Sequence, residues 1–505
     1  MALAEILPIM DAQLPAFLAL VRVDYSDGDA DTYALPIMYA QGERAEGLLR
    51  DHPQAAIARL LFQERKEEGI IFDAFVDEGF GESLLVGIAR HRRREGLAGE
   101  LVASRTHAFK QIRGLGEGRL GSSVLKVDQS NTSLLFGDRF ILKLFRRIQP
   151  GVNPDLEIGR FLTEKKFGHI APVAGAIEYL REQEEPMTLA ILQQFIPNEG
   201  DAWSYTLDRL THFFQHAVAD RAKIEGCPTP PAPLLDLAGQ DMPQTVAEII
   251  GPYLESARLL GLRTGEMHRT LASDPDHPAF APEPFSRLYQ RSLYQSMRTL
   301  TGQVFQLMRQ RLRTLPEERR GEAQKILDLD SKILDRFRSI VDLKITGMRI
   351  RCHGDYHLGQ VLYTGKDFVI FDFEGETARP LSERRIKKSP LRDVAGMLRS
   401  FNYAAYSAFF SQRDSGLIRP EDLAFLETSA RFWRHWVSAA FLKAYLEEAS
   451  QGDFIPKTQK DLQALLDIYL LEKAVYELGY ELNNRPEWIL IPIQGIQELM
   501  RIQPG

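Results

Sequence analysis

Cysteine is almost missing from this 505-residue chain: Cys227 and Cys352 are the only two. Two thiols build no disulfide framework, and reduced thiols fit a cytoplasmic protein. No apolar run approaches the ~18 residues that a membrane span requires. The opening MALAEILPIMDAQLPAFLAL is fairly apolar, but Glu5 and Asp11 interrupt it and no basic start precedes it. It is therefore not read as a signal peptide. A surplus of positive charge is absent too, since 62 Lys+Arg against 69 Asp+Glu leaves a formal net charge of −7. That balance argues against nucleic acid or an anionic membrane as partner. What is present, 44% hydrophobic and 26% charged residues, describes a globular enzyme or binding protein with room for about three modules.

Three parts are expected. In residues 1–107, Phe17–Asp24, Thr32–Met38 and Ile70–Val76 read as strands. Glu82–Arg94 reads as a helix whose basic end, Arg90, Arg92, Arg93 and Arg94, is a solvated face. This part is expected to be an α/β cap. Residues 108–197 read as a small β-rich lobe: strands at Ser122–Val127, Thr132–Phe136, Phe140–Phe145, Val173–Glu178 and Thr188–Phe195. Asn153-Pro154-Asp155 opens the helix between the third and fourth, with Asn as N-cap, Pro at the first position and acids in the first turn. Residues 198–505 are mostly helical. A Pro-rich loop lies at Pro228–Pro233, 3.6-period segments run near 245–271, 284–312, 316–341, 391–411, 421–448 and 457–482, and one β-like island spans Arg349–Asp372.

That island carries the chemistry. It reads His353-Gly354-Asp355-Tyr356-His357-Leu358-Gly359-Gln360, then, after a second apolar run, Asp372-Phe373-Glu374-Gly375. A hairpin bringing these two stretches together gathers carboxylates and an amide around one small volume, an oxygen-rich setting suited to a hard divalent cation. Taken alone, His353-x-Asp355-x-His357 also admits a metal-dependent hydrolase, and the hairpin admits a purely structural role.

HGDxHxxQ followed by a strand and DFE resembles the catalytic and metal loops of the aminoglycoside-phosphotransferase-like kinases, relatives of the protein kinases. The long run from Asp372 through Met397 resembles the maltokinase family, as does Leu471–Glu481 with Asn484-Arg485-Pro486 and Trp488. The departure is Gln360, where most relatives carry Asn. The resemblance implies an α+β, protein-kinase-like bilobal fold. The reaction it implies is ATP-dependent phosphorylation of maltose to maltose 1-phosphate, within trehalose-to-α-glucan (glycogen) metabolism. It also implies Mg²⁺ as cofactor and association or fusion with a trehalose synthase.

Within that resemblance Asp355 is the catalytic residue, and Gln360, Asp372 and Glu374 are the metal ligands. Lys143, partnered by Glu157, grips the nucleotide phosphates. Ser130, Asn131 and Thr132 cover them, and Gln193 and Phe195 mark the adenine hinge. His353 together with Lys473, Tyr476, Glu477 and Tyr480 is assigned to the sugar. The last four, spaced 0, 3, 4 and 7, share one helix face. Arg384, Arg385, Lys387 and Lys388 read as a solvated loop, and His268 as a packed helix residue. Other acceptors, such as another sugar or an amino alcohol, and a non-catalytic kinase-like binding module remain alternatives.

Overall fold

The computed structural model describes residues 1–9, 15–62, 67–114, 120–125, 131–227, 232–414 and 419–501. Ser130 and most of the Pro-rich loop expected at 228–233 lie outside them. The chain divides into two compact units: Met1–Pro197 with Thr377–Arg385, and Asn198–Glu376 with Ile386–Gly505. No described helix is long and apolar enough to cross a membrane.

The first unit is built on two antiparallel sheets. One contains β1 (Ala2–Pro8), β2 (Ala16–Val23), β3 (Asp31–Gln41), β4 (Ala56–Phe62) and β5 (Glu67–Asp73) in the order β1-β2-β3-β5-β4. The alternation of β3 buries Ala34, Pro36, Met38 and Ala40, as the two-residue period of a half-buried strand requires. The other sheet runs β6-β7-β12-β13-β10-β9-β8, from β6 (Arg93–Glu95), β7 (Glu100–Arg105), β8 (Ser122–Leu125), β9 (Asn131–Phe136), β10 (Phe140–Phe145), β12 (Val173–Leu180) and β13 (Met187–Gln194). The short β11 (Arg147–Ile148) pairs back onto β3.

This topology corrects the expected border at residue 107. β7 pairs with β12, β11 with β3, and a single apolar core runs from Leu7 and Phe72 through Phe80 to Leu142 and Leu192. Cap and β-rich lobe therefore share one core. The expected helix Glu82–Arg94 is also shifted. It spans Glu78–Ala89, Asp77 caps it, and Arg93 and Arg94 lie on β6.

The second unit is helical around the β-island. Two small antiparallel ladders punctuate it, β14 (Glu283–Pro284) with β15 (Met348–Arg349), and β16 (Val361–Tyr363) with β17 (Phe368–Ile370). The periodic run 245–271 breaks at Gly251-Pro252 into helices Gln244–Ile250 and Tyr253–Leu271; Gly251 has φ +72°, which a side chain resists. The 316–341 run likewise splits into Glu317–Leu327 and Asp330–Arg338.

The helix Tyr253–Leu271 packs against Leu423–Ala449 without intervening side chains at Gly261 and Gly265. A Cβ at Gly261 would collide with the Phe441 carbonyl, and one at Gly265 with Glu448. Leu391–Asp414 is buried almost all round, the pattern of a central helix. Its Gly396 lets the backbone carbonyl of Tyr356 approach to 2.5 Å of where a Cβ would stand, so the HGD segment lies directly on this helix.

Candidate functional site

The β16–β17 ladder pairs Val361 with Ile370, and Phe371 N–H continues it by donating to the Gln360 carbonyl at 3.1 Å. Gln360 thus lies immediately before β16, beside the residue that precedes Asp372. Immediately after the ladder Asp372 takes φ +63°, a conformation that an L-residue holds only when its surroundings enforce it. Gly354 and Gly375 have φ +89° and +71°, and a Cβ on Gly354 would stand 3.3 Å from the Gly375 Cα. These two glycines let the HGD and DFEG turns touch, backbone on backbone.

His353 fastens the turns together. Its Nε2–H donates to the Phe371 carbonyl at 2.9 Å, and its Nδ1 accepts from Asp355 N–H at 3.4 Å. With 1% exposure and both nitrogens in use, His353 is a positioning residue. That corrects its assignment to the sugar and also removes it as a metal ligand of a hydrolase-like cluster.

Beneath the turn, Asp393 accepts from His353 N–H (2.7 Å) and Gly354 N–H (3.0 Å) and faces His268 Nε2 at 3.0 Å. His268 Nδ1 lies 3.2 Å from the Tyr445 hydroxyl. Burial pushes the Asp393 carboxyl up, but the His268 hydrogen bond and charge and the loop amides outweigh it and hold the group below its ordinary value. Sequence reading passed over this support. His268 and Asp393 are 125 positions apart, and neither carries a local signal.

Asp355 stands at the edge of the turn with about a third of its side chain exposed; Lys473 Nζ lies 3.5 Å from its Oδ1. Burial works against the Lys473 charge, yet Asp355, Glu376 and Glu477 hold the ammonium above its ordinary value. His357 Nε2 is 4.0 Å from Asp355 Oδ2, and its Nδ1 accepts from Gly359 N–H at 3.1 Å. Desolvation lowers the His357 pKa against the pull of Asp355.

The C-terminal helix Gln459–Asn484 presents Lys473, Tyr476 and Tyr480 as a stripe less buried than its surroundings. Lys473 lies over the Tyr476 ring at 4.9 Å, and Arg485 over Tyr480 at 5.5 Å. Glu477 departs from the expected sugar face. It is 8% exposed and ion-paired with Arg399, whose Nη2 and Nε lie 2.6 and 2.8 Å away. A carboxylate buried with that partner holds the helix to Leu391–Asp414 and is not presented to a ligand.

A carboxylate oxygen of Asp372 and one of Glu374 lie within 4.8 Å of each other. With Gln360 adjoining, this donor set of hard oxygens fits Mg²⁺ in kind.

In the first unit, the alternation of β10 buries Leu142 and Leu144 and turns Lys143 to the opposite face. There its Nζ lies 3.7 Å from Asp155, which is 1% exposed, and 5.4 Å from the Phe145 ring. The helix Pro154–Glu164 is capped as expected, Asn153 Oδ1 accepting from Asp155 N–H. Asp155 thus adjoins Lys143, and Glu157 takes a two-pronged contact from Arg385 at 2.9 and 3.3 Å.

Arg385 therefore does not lie in a solvated loop. Nor do Arg384, bound to Gln149, and Lys387, 7% exposed and bound to Glu283 and the Pro278 carbonyl.

The residues expected as phosphate cover and hinge, where described, lie in or next to the sheet. Asn131 is 8% exposed within β9, and Thr132 Oγ1 accepts from Arg146, which also binds Asp73. Gln193 lies inside the sheet, opposite Ile141 and Val173. Phe195 N–H is committed to the Arg139 carbonyl and cannot serve an adenine ring.

No family model matches the sequence. It is similar to a glucosamine kinase of Streptacidiphilus jiangxiensis, 22% identical over 82% of this chain and 83% of that one. A glucosamine kinase of Mycolicibacterium smegmatis is 23% identical over 75% and 80%. Among solved structures, a glucosamine kinase in complex with glucosamine, ADP and inorganic phosphate superposes with a TM-score of 0.65. It is 17% identical over 99% of this chain and 95% of that one, and a second crystal form reaches 0.66. The α+β kinase-like fold is thereby shown.

Proposed function

We propose that this chain is an ATP-dependent sugar kinase that phosphorylates maltose at its anomeric hydroxyl, releasing maltose 1-phosphate and ADP. The observation that carries the reading is Asp355, set by the Asp393-held turn at a partly exposed position beside Lys473. In the reaction, the acceptor oxygen forms a bond to the γ-phosphorus as the bond to the β–γ bridging oxygen breaks. ADP leaves with that electron pair, and Asp355 orients and accepts the hydroxyl proton.

Lys143, backed by Asp155, would neutralise charge on the nucleotide phosphates. Gln360, Asp372 and Glu374 would hold Mg²⁺, which supplies charge neutralisation on those phosphates when bound. Lys473 and Tyr476 would receive the sugar, a hydrogen-bonding ammonium beside an aromatic ring. His353, Asp393 and His268 position the turn.

The choice of maltose rests on the C-terminal resemblance, and a cation 3.5 Å from Asp355 favours a neutral acceptor over an ammonium-bearing one. The relatives support a second reading, in which glucosamine or another amino sugar is the acceptor. ³¹P NMR of the protein with ATP and Mg²⁺ separates the two, with maltose, glucose, trehalose and glucosamine run in parallel. A phosphate ester formed with maltose and coupled to an anomeric proton is the expected result. Turnover with glucosamine alone would keep the kinase and replace the acceptor.

A further inference from the structure

A cavity of about 500 Å³ lies within the helical unit, walled by the helices Leu391–Asp414, Leu423–Ala449, Gln459–Asn484 and Leu490–Arg501. It is separate from the Asp355 turn and takes no part in the chemistry above. Most of its charged residues are paired, and Arg501 stands exposed at its rim. Arg434 makes a two-pronged pair with Glu498 (2.8 and 2.9 Å), Arg399 pairs with Glu477, and Asp467 with Arg336 at 2.9 Å. His435, driven down to about 4 by burial and by Arg434, is neutral at physiological pH.

Two neutral amides facing this cavity are only half satisfied. Asn402, 3% exposed, gives its Oδ1 to Arg434 Nη1 at 2.9 Å, so the orientation of its amide is fixed. Its buried Nδ2 donor has no hydrogen-bond partner among the described residues. Gln463 is the mirror case. Its Nε2 donates to Asp467 at 2.6 Å, leaving the buried acceptor Oε1 without a partner. An orphaned buried polar group is destabilising, and here residues carrying one such donor and one such acceptor line the same cavity, with the buried Ser438 among them.

We propose that this cavity is a second binding site, for a neutral polyhydroxylated molecule of mono- to disaccharide size. The volume falls in the range of small-ligand sites. Because the buried charges are already paired and Arg501 stands exposed at the rim, an ionic ligand gains little in the interior of the cavity. A hydroxyl both donates and accepts, and so answers Asn402 Nδ2 and Gln463 Oε1 alike. The leucine and proline walls, Leu398, Leu470 and Pro233 among them, suit the C–H faces of a sugar.

The test is saturation-transfer NMR without ATP, using maltose, trehalose, sorbitol and the proton-bearing anion methanesulfonate as probes on the full chain. The variants are Asn402→Leu and Gln463→Leu. Gln463 is only half-buried, so that variant carries the test if Asn402→Leu does not fold. At least one polyol is expected to give a signal that falls fivefold or more in each folded variant, while kinase turnover at saturating substrate is unchanged. Polyol signals equal in wild type and variants would overturn the site. Methanesulfonate bound in place of any polyol would overturn its ligand class. Because the binding is read without nucleotide, loss of the kinase reading would leave this result standing, and the reverse also holds.

Discussion

Lys473 Nζ stands 3.5 Å from Asp355 Oδ1, a cation from the C-terminal helix beside the carboxylate of a turn 118 residues earlier in the chain. If Asp355 is the proton acceptor, Asp355→Asn lowers kcat by about 10²–10⁴-fold and leaves ATP affinity nearly intact. Lys473→Met instead acts on the sugar, raising acceptor KM by about tenfold, the weight of one charge-assisted hydrogen bond, with ATP KM unchanged. Steady-state kinetics varying each substrate in turn check both. Near-wild-type kcat in Asp355→Asn would remove the assignment.

In the first unit the contact between Lys143 and Asp155 makes a different division. Asp155→Ala removes a buried carboxylate 3.7 Å from the Lys143 ammonium and is expected to raise ATP KM by about tenfold or more. Glu157→Ala removes the partner of Arg385 and is expected to act on stability more than on ATP. Nucleotide titration and thermal melts of the two variants give opposite rankings under this geometry. A larger ATP defect in Glu157→Ala would restore the pairing read from the sequence.

The extent of sequence legibility follows from what each signal depends on. Strand alternation around Lys143, the Asn153 cap and the HGD and DFE turns are local patterns, and the structure places each where the pattern puts it. Partners were less legible. Asp155 beside Lys143 and Arg385 on Glu157 were not read, because both contacts depend on where a folded helix sits and not on a local pattern. Glu477 shares a face with Lys473 in heptad arithmetic, but Arg399, on another helix, turns it into a buried pair. The shared core of cap and β-rich lobe stayed hidden because β7 reaches β12 over about 70 residues of chain, beyond any local window.

Asp393 supports the turn with both oxygens, and this is separable from chemistry. Asp393→Asn keeps the shape but replaces one accepting oxygen with a donor that faces a backbone N–H. A stability loss of about 1.5–3 kcal/mol is expected. Loosening of the Asp355 turn is expected to lower kcat on the order of 10²-fold. Urea denaturation and turnover of the same preparation measure the two effects. An unaltered kcat alongside lost stability would show that the Asp355 geometry does not depend on this carboxylate.

The first unit carries its own acid sensitivity at Glu5, which is fully buried. Its carboxylate accepts from the Tyr179 hydroxyl (2.7 Å) and from the backbone N–H groups of Leu97 (2.7 Å), Ala98 (2.8 Å) and Ile6 (2.8 Å). It thereby ties β1 to the β6–β7 turn and to β12. Burial raises its pKa, but these four donors outweigh it and hold the group below its ordinary 4.5. A carboxyl depressed on folding contributes stability that is complete above its unfolded value and lost as pH falls through the folded one. Thermal melts from pH 7 down to 3 should therefore show an acid-side drop in the unfolding of this unit that Glu5→Gln lacks. At pH 7 Glu5→Gln should cost about 1.5–3 kcal/mol, since a neutral amide accepts more weakly and brings a donor into a site built of donors. A variant as stable as wild type at neutral pH, with the same acid profile, would mean that these bonds do not hold β1 in place.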